Sequence, residues 1–352
     1  DLLYAVKDAE SVGQSLSSRT LELYDLGSQR LLADADVTRD GWNTAVRSLV
    51  TSLEGQVLPD DLLVLFLAGH GLVDVDAGGA YAFLCHDAEI AVASSNDENP
   101  ALVRGRAGTP HGAITWADFS ALANVPCRKL ALVDTCHSGA LGPAARSTTV
   151  REFQENNIVV LAAATDAQGS QEADWAFLEP DDGGPTKNNK HGAFTKTLLD
   201  GLAGKADVGP TRGLGRRTGK KPVADTGPDG IVSLDELIAY VSVAVPPLTA
   251  AAVAYEAEEL LQQIGAAAAN DKRAKMEEAI ATLRAAAESR DVTRMQGGIV
   301  ALNAAMRSIL PPDLYEQRKY DPDKVIQTPR PSPTGLLEFV RPAIARTTST
   351  SP

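Results

Sequence analysis

Cysteine is scarce in this chain: Cys85, Cys127 and Cys136 are the three in 352 residues, and no Cys-x-x-Cys pair occurs. An odd, scattered set argues against a disulfide framework and a thiolate zinc site. It suits a reducing, cytoplasmic compartment. Positive charge is also in short supply. Lys and Arg total 33 against 46 Asp and Glu, a formal net charge of −13. Such a chain repels a phosphate backbone, so no nucleic-acid partner is expected. No apolar stretch approaches the roughly 20 residues of a membrane span and no secretory leader is recognisable, so no membrane is expected either. The remaining composition is globular, 44% hydrophobic and 22% charged, and long enough for one large core or two modest ones.

Two apolar runs carry the strongest pattern. Leu62-Leu-Val-Leu-Phe-Leu-Ala68 leads into Gly-His70-Gly, and Lys129-Leu-Ala-Leu-Val leads into Asp134-Thr-Cys136-His-Ser-Gly139. Both are too short and too rich in Val, Leu and Phe for a helix that must cover a face, so each reads as a buried strand. In an open parallel sheet, chemistry collects at the carboxyl ends of the strands. A His and a Cys are thereby delivered to one rim, as a Cys/His nucleophilic pair requires.

The surrounding pattern alternates. Apolar spacing predicts a helix over 1–18, a short strand at Arg30–Ala33 and a helix capped by Thr38 that carries Trp42 and Val46. A strand follows at Tyr81–Cys85, then a helix from Thr115 through Ala123, a buried strand at Ile158–Ala164, and a helix from Ala193 stopped by Gly204. Strand and helix in alternation predict an α/β layered domain with a mostly parallel sheet. Gly204 to Gly230 reads as an exposed loop, and Ser233-Leu-Asp-Glu236 as a capping box for a helix through Val245. From Thr249 to Leu310 the chain is Ala-rich. Met276, Ile280 and Leu283, then Met295, Ile299 and Leu302, recur at helical spacing, which predicts two or three helices packed as a hairpin. One strand is predicted at Leu336–Val340 and a disordered tail from Arg346.

Position separates Cys136 from the other thiols. It lies one step beyond a buried strand, and Gly139 permits a sharp turn after it. Cys85 and Cys127 lack such a turn and read as small buried hydrophobes. His70, between two glycines at a strand end, is the candidate general base. The ring of His137, next to Cys136, points to the opposite face and reads as loop support. His191 opens a helix and reads as structural; His86 and His111 lie in or near loops. Asp134, two residues before Cys136, shares its face.

Ala-Gly-His70-Gly and Asp134-Thr-Cys136-His-Ser-Gly139 resemble the two catalytic motifs of caspase-like cysteine peptidases, with bacterial orthocaspases and metacaspases the most similar. Val6-Lys-Asp8-Ala9, Val159-Val-Leu-Ala-Ala-Ala-Thr165 and His191-Gly-Ala-Phe-Thr195 resemble further segments of that family, over about Asp1 to Val245. The resemblance implies a caspase-like α/β/α sandwich with Cys136 as nucleophile, His70 as base, and the amides of Gly71 and Cys136 as an oxyanion hole. It also implies an acidic P1 pocket. Asp134, Asp8 and Glu172 would take Arg or Lys from protein or peptide substrates. A helix dipole that favours an acid in the first turn is the structural alternative for Asp8. The basic residues Arg146, Arg151, Arg212, Arg216, Arg217, Lys220 and Lys221 become candidate self-cleavage sites, with a solvated loop as the alternative. The other functional class is a latent or inactive scaffold that keeps the fold and binds partners.

Residues 225–236 resemble a calcium loop, but Gly227 stands at the third ligand position. The capping box already accounts for Ser233 and Glu236, so no metal or other cofactor is expected to be required, with calcium at this loop as the alternative. The family's first strand is missing ahead of Asp8, which suggests truncation or cleavage. Ile326-Gln-Thr-Pro329 resembles a closing element of bacterial members. The expected organisation is a peptidase domain over 1–248, a helical insertion over 249–310 that could dock a regulatory protein, a closing segment over 311–345 and a tail over 346–352.

Overall fold

The computed structural model describes residues 2–19, 23–74, 80–91, 101–102, 111–136, 158–164, 172–175, 190–208, 228–265, 269–331 and 343–346. Helix α1 (Ala5–Arg19) and helix α2 (Arg39–Leu53) precede β1 (Leu62–Gly69), β2 (Gly71–Asp74) and β3 (Ala80–Leu84). A minimal pair, β4 (Ile90–Ala91) and β5 (Ala101–Leu102), leads to β6 (Ala113–Thr115), α3 (Trp116–Ala123), β7 (Arg128–Thr135) and β8 (Ile158–Ala162). Then come β9 (Glu172–Asp174), β10 (Lys190–Gly192), α4 (Ala193–Asp200), β11 (Ile231–Ser233) and α5 (Leu234–Ile264). Helices α6 (Asn270–Ser289), α7 (Val292–Ile309), α8 (Pro312–Arg318) and α9 (Pro322–Val325) precede β12 (Arg330–Pro331) and β13 (Ala343–Arg346).

The fold is mixed α/β around a parallel sheet. Strands run in the order β1-β7-β8-β12, with the first three parallel and β12 antiparallel at the far edge. The period-two geometry of a strand sends alternate residues to opposite faces. Leu130 and Leu132 of β7, with Val159 and Leu161 of β8, enter a core shared with Val12, Phe194, Leu198, Leu237 and Val241. Ala131, Val133, Val160 and Ala162 enter a second core with Trp42, Tyr81, Phe83, Ile114 and Phe119. Both faces are therefore covered, which is why the central strands read as unbroken apolar runs. Strand β1 pairs only with β7 among the described residues, and most of its side chains are half-buried.

Local signals act as their chemistry requires. The Thr38 side chain accepts from Gly41 N–H at 2.9 Å and starts α2. Asp118 Oδ2 accepts from Thr115 N–H at 2.9 Å to open α3, while its Oδ1 receives Arg39 and its carbonyl receives Trp42 Nε1 at 3.3 Å. One residue thus fastens α2 to α3. Gly204, at φ 110°, terminates the turn after α4, a conformation that suits glycine.

Four expectations change. Arg30–Ala33 forms no strand; it runs irregularly into a 3-10 turn at Asp34–Asp36, with no sheet partner among the described residues. The helix expected to end at Val245 passes through Pro246 and Pro247 to Ile264. Burial on both sides of the prolines holds it together: Leu237, Val241 and Val245 lie in the sheet core, and Val253, Ala257 and Leu261 lie in the core of the helical unit. As a result α5 is, by length and composition, apolar enough to cross a membrane, contrary to the sequence reading; half of its most apolar window is buried inside the fold. Finally, Arg346, expected in a disordered tail, pairs with Ile231 because β11 offers β13 an edge. The strand expected at Leu336–Val340 and the tail over 347–352 lie outside the described residues.

The helical unit has its own core of Met276, Ile280, Leu283, Met295, Ile299, Leu302 and Met306, as the spacing predicted. Gly298 lets α7 approach α6: a Cβ there would stand 3.0 Å from Leu283 Cδ1. Leu283 is fully buried. Leu283→Ala should lower unfolding stability by about 2–5 kcal/mol, read from the urea midpoint at unchanged m-value.

Candidate active site

The register of β1 against β7 builds the rim. Ala68 pairs with Asp134 and Gly69 with Thr135, so His70 and Cys136 directly follow the last rung of two neighbouring parallel strands. Adjacent strands lie about 4.8 Å apart. At His70 the chain leaves the main sheet and enters the antiparallel hairpin β2-β3, whose Leu84 N–H donates to the His70 carbonyl at 2.9 Å. His70 is exposed and Cys136 is partly exposed.

The glycines flanking His70 are explained by crowding. A Cβ on Gly69 would stand 2.9 Å from the Phe83 ring. A Cβ on Gly71 would stand 2.5 Å from the Cys136 carbonyl oxygen and 2.8 Å from Thr135 Oγ1. The backbone of residue 71 therefore lies directly against that of Cys136. Below them Tyr81 Oη and Thr135 Oγ1 are 2.6 Å apart, and burial pushes the Tyr81 phenol up. Partial desolvation holds His70 below the ordinary imidazole value, while the Glu172 charge pulls it upward. The imidazole is thus kept in its neutral, basic form near pH 7.

Asp8, Asp134 and Glu172 line one narrow pocket with Leu2, Ala5, Ala68, Gly69 and Gly192. Asp134 is buried, and its Oδ2 accepts from Thr195 N–H at 3.1 Å and Thr195 Oγ1 at 2.6 Å. Asp8 is buried as well; its Oδ1 lies 2.6 Å from His191 Nδ1, and its Oδ2 accepts from Gly192 N–H at 3.0 Å. Burial pushes the Asp8 carboxyl up, and the His191 and Gly192 contacts offset only part of that rise. Glu172 is engaged differently: its two oxygens accept from Leu3 N–H and Tyr4 N–H at 2.8 and 3.2 Å, at the opening of α1. It closes a helix end as well as bordering the pocket.

The sequence reading overlooked His191, Gly192 and Thr195 as parts of this site. Across the β9-β10 pair, Gly192 faces Glu172 and His191 faces Ala173, and Trp175 Nε1 donates to the His191 carbonyl at 2.9 Å. A Cβ on Gly192 would lie 2.5 Å from Asp134 Oδ2 and 3.3 Å from Asp8 Oδ2, so only glycine fits between the two carboxylates. The usable signal was the run His191-Gly-Ala-Phe-Thr195 itself.

Arg146, Arg151, Arg212, Arg216, Arg217, Lys220 and Lys221 lie outside the described residues, as do His137 and Asp225 to Gly227. Glu236 Oε2 accepts from Ser233 N–H and Oγ at 2.9 and 2.8 Å, and Asp229 Oδ1 accepts from Ile231 N–H at 2.9 Å, so both carboxylates serve the backbone turn into α5. Among the described residues no group of His, Cys, Asp and Glu is arranged to hold a metal ion.

The remaining thiols are inert by position. Cys85 and Cys127 are buried, with desolvation pushing Cys85 up to about 12 and raising Cys127. Iodoacetamide on the native protein should therefore label Cys136 first, by mass spectrometry, and Gly71→Ala should slow that labelling at least about tenfold while far-UV circular dichroism is unchanged. Compared with family models and with curated proteins, the chain matches none.

Proposed function

We propose that this protein is a caspase-like cysteine endopeptidase that cleaves after Arg or Lys. One observation carries the reading. At the carboxyl rim of a parallel sheet, β1 and β7 end on the Gly69–Thr135 rung, one residue before His70 and Cys136, and Ala68 and Gly69 line a pocket walled by Asp8, Asp134 and Glu172. Two buried carboxylates flanking one glycine are costly together, and an incoming guanidinium or ammonium relieves that cost.

In the proposed reaction, neutral His70 takes the Cys136 thiol proton and the thiolate attacks the carbonyl carbon after the basic residue. The developing oxyanion is received by the N–H groups of Gly71 and Cys136. As the peptide C–N bond breaks, imidazolium gives its proton to the leaving amine, and a Cys136 thioester remains. His70 then takes a proton from water, which attacks the thioester, and the acid product leaves with the thiol restored. The basic residues of 146–151 and 212–221 are substrates for the same chemistry, in cis or between copies.

Fluorogenic peptides ending in Arg or Lys should be hydrolysed, and peptides ending in Asp should not. Cys136→Ala and His70→Ala should each reduce kcat/KM by about a thousandfold or more. Activity on Asp peptides alone would overturn the pocket assignment, and equal activity in Cys136→Ala would overturn the nucleophile.

The pH profile supplies a separate check. The reaction needs His70 unprotonated, and burial lowers its pKa, so the acid limb of kcat/KM should lie below the ordinary imidazole value of about 6.5. Glu172 raises that pKa, so Glu172→Gln should move the limb to still lower pH. A limb above pH of about 7 would remove His70 from the role of base.

A further inference from the structure

Against Asp8 of the acidic pocket packs an imidazole that the proposed reaction does not use. His191 is buried on β10, its Nδ1 is turned onto Asp8, and its carbonyl is held by Trp175. It is separated from Asp8 by 183 positions in sequence, so this contact is made only by the fold. Among the described residues, the exposed imidazole at the rim is His70.

The physical need for such a group is specific. A carboxyl as buried as Asp8, at 2% exposure, stays ionised only if donors replace the water it has lost. Two donors do so: Gly192 N–H on Oδ2 and the His191 ring on Oδ1. Asp134 differs, because Thr195 holds it with a backbone and a hydroxyl donor on one oxygen. Without His191, burial would drive Asp8 to take up a proton, and the pocket would lose a negative charge while keeping its shape.

We propose that His191 is a positioning residue of this pocket. It holds Asp8 as a fixed negative wall beside Asp134 and so sets selectivity for a cationic P1 side chain over a neutral one of the same shape. This deepens the reading of the pocket as the P1 subsite and rests on it.

The test measures binding without cleavage. Cys136→Ala protein is titrated calorimetrically with an acetylated tetrapeptide amide ending in Arg and with its citrulline twin, which has nearly the same shape but no charge. The Arg peptide should bind at least tenfold more tightly. Adding His191→Ala should weaken the Arg peptide about tenfold and leave the citrulline peptide unchanged. Adding His191→Asn instead, which offers an amide N–H near the Nδ1 position, should restore most of the preference. Equal binding of the two peptides by the parent protein would overturn the proposal. So would an unchanged ratio in His191→Ala, or the loss of both peptides together in both variants. Absence of peptide hydrolysis in the unmodified protein would overturn the peptidase reading while a His191-dependent ratio still stood. Intact hydrolysis with an unchanged ratio would remove only the role of His191.

Discussion

The pairing of β1 with β7 is the constraint on which the site depends. The residues on either side of each rung are fixed by the backbone ladder, so a slip of one position would carry His70 away from Cys136 and Ala68 away from Asp134. The slip is opposed by burial. Leu130, Leu132, Ala131 and Val133 enter cores on opposite faces, and shifting them by one would exchange every side chain between two packed environments. Two hydrophobic layers thus enforce a geometry of polar groups at the strand ends that the polar groups alone could not maintain.

Electrostatics at the rim follows from that scaffold. The same end of the sheet carries a partly desolvated imidazole and, one step away, buried carboxylates with specific donors. Burial acts in opposite directions on these groups. For His70 and Asp8 it favours the neutral form, which suits the proposed base but works against the proposed cation-binding wall. The donors on Asp8 and Asp134 are therefore as much a part of the pocket as the carboxylates. Glu172 joins the two systems, since its oxygens fix the start of α1, the helix that presents Asp8, while its charge reaches His70.

Much of the scaffold was legible in the sequence, because it is written in local signals. The strands β1, β7 and β8 are short runs of Leu and Val, and the caps at Thr38 and Ser233 are compact polar patterns next to apolar periodicity. The shared rim of His70 and Cys136 followed from strand ends alone. What escaped was non-local or set by packing. The Asp8–His191 and Asp134–Thr195 contacts join residues 183 and 61 positions apart, and no spacing rule encodes them. The continuation of α5 past Pro246 and Pro247 was hidden for a related reason: proline is a local stop signal, and burial on both sides of it overrides that signal.

That helix has a thermodynamic consequence. At about 1.5 Å per residue, α5 is a rod of roughly 46 Å whose first half belongs to the sheet core and whose second half belongs to the helical unit. Gln327, fully buried, adds a second tie, donating from its side chain to the Ala163 carbonyl and from its backbone to Thr249 on α5. Neither core can melt without stripping apolar surface from a helix that the other still requires. The two cores should therefore unfold as one cooperative unit, with resistance to heat or proteolysis gained in the helical unit shared by the rim that carries Cys136.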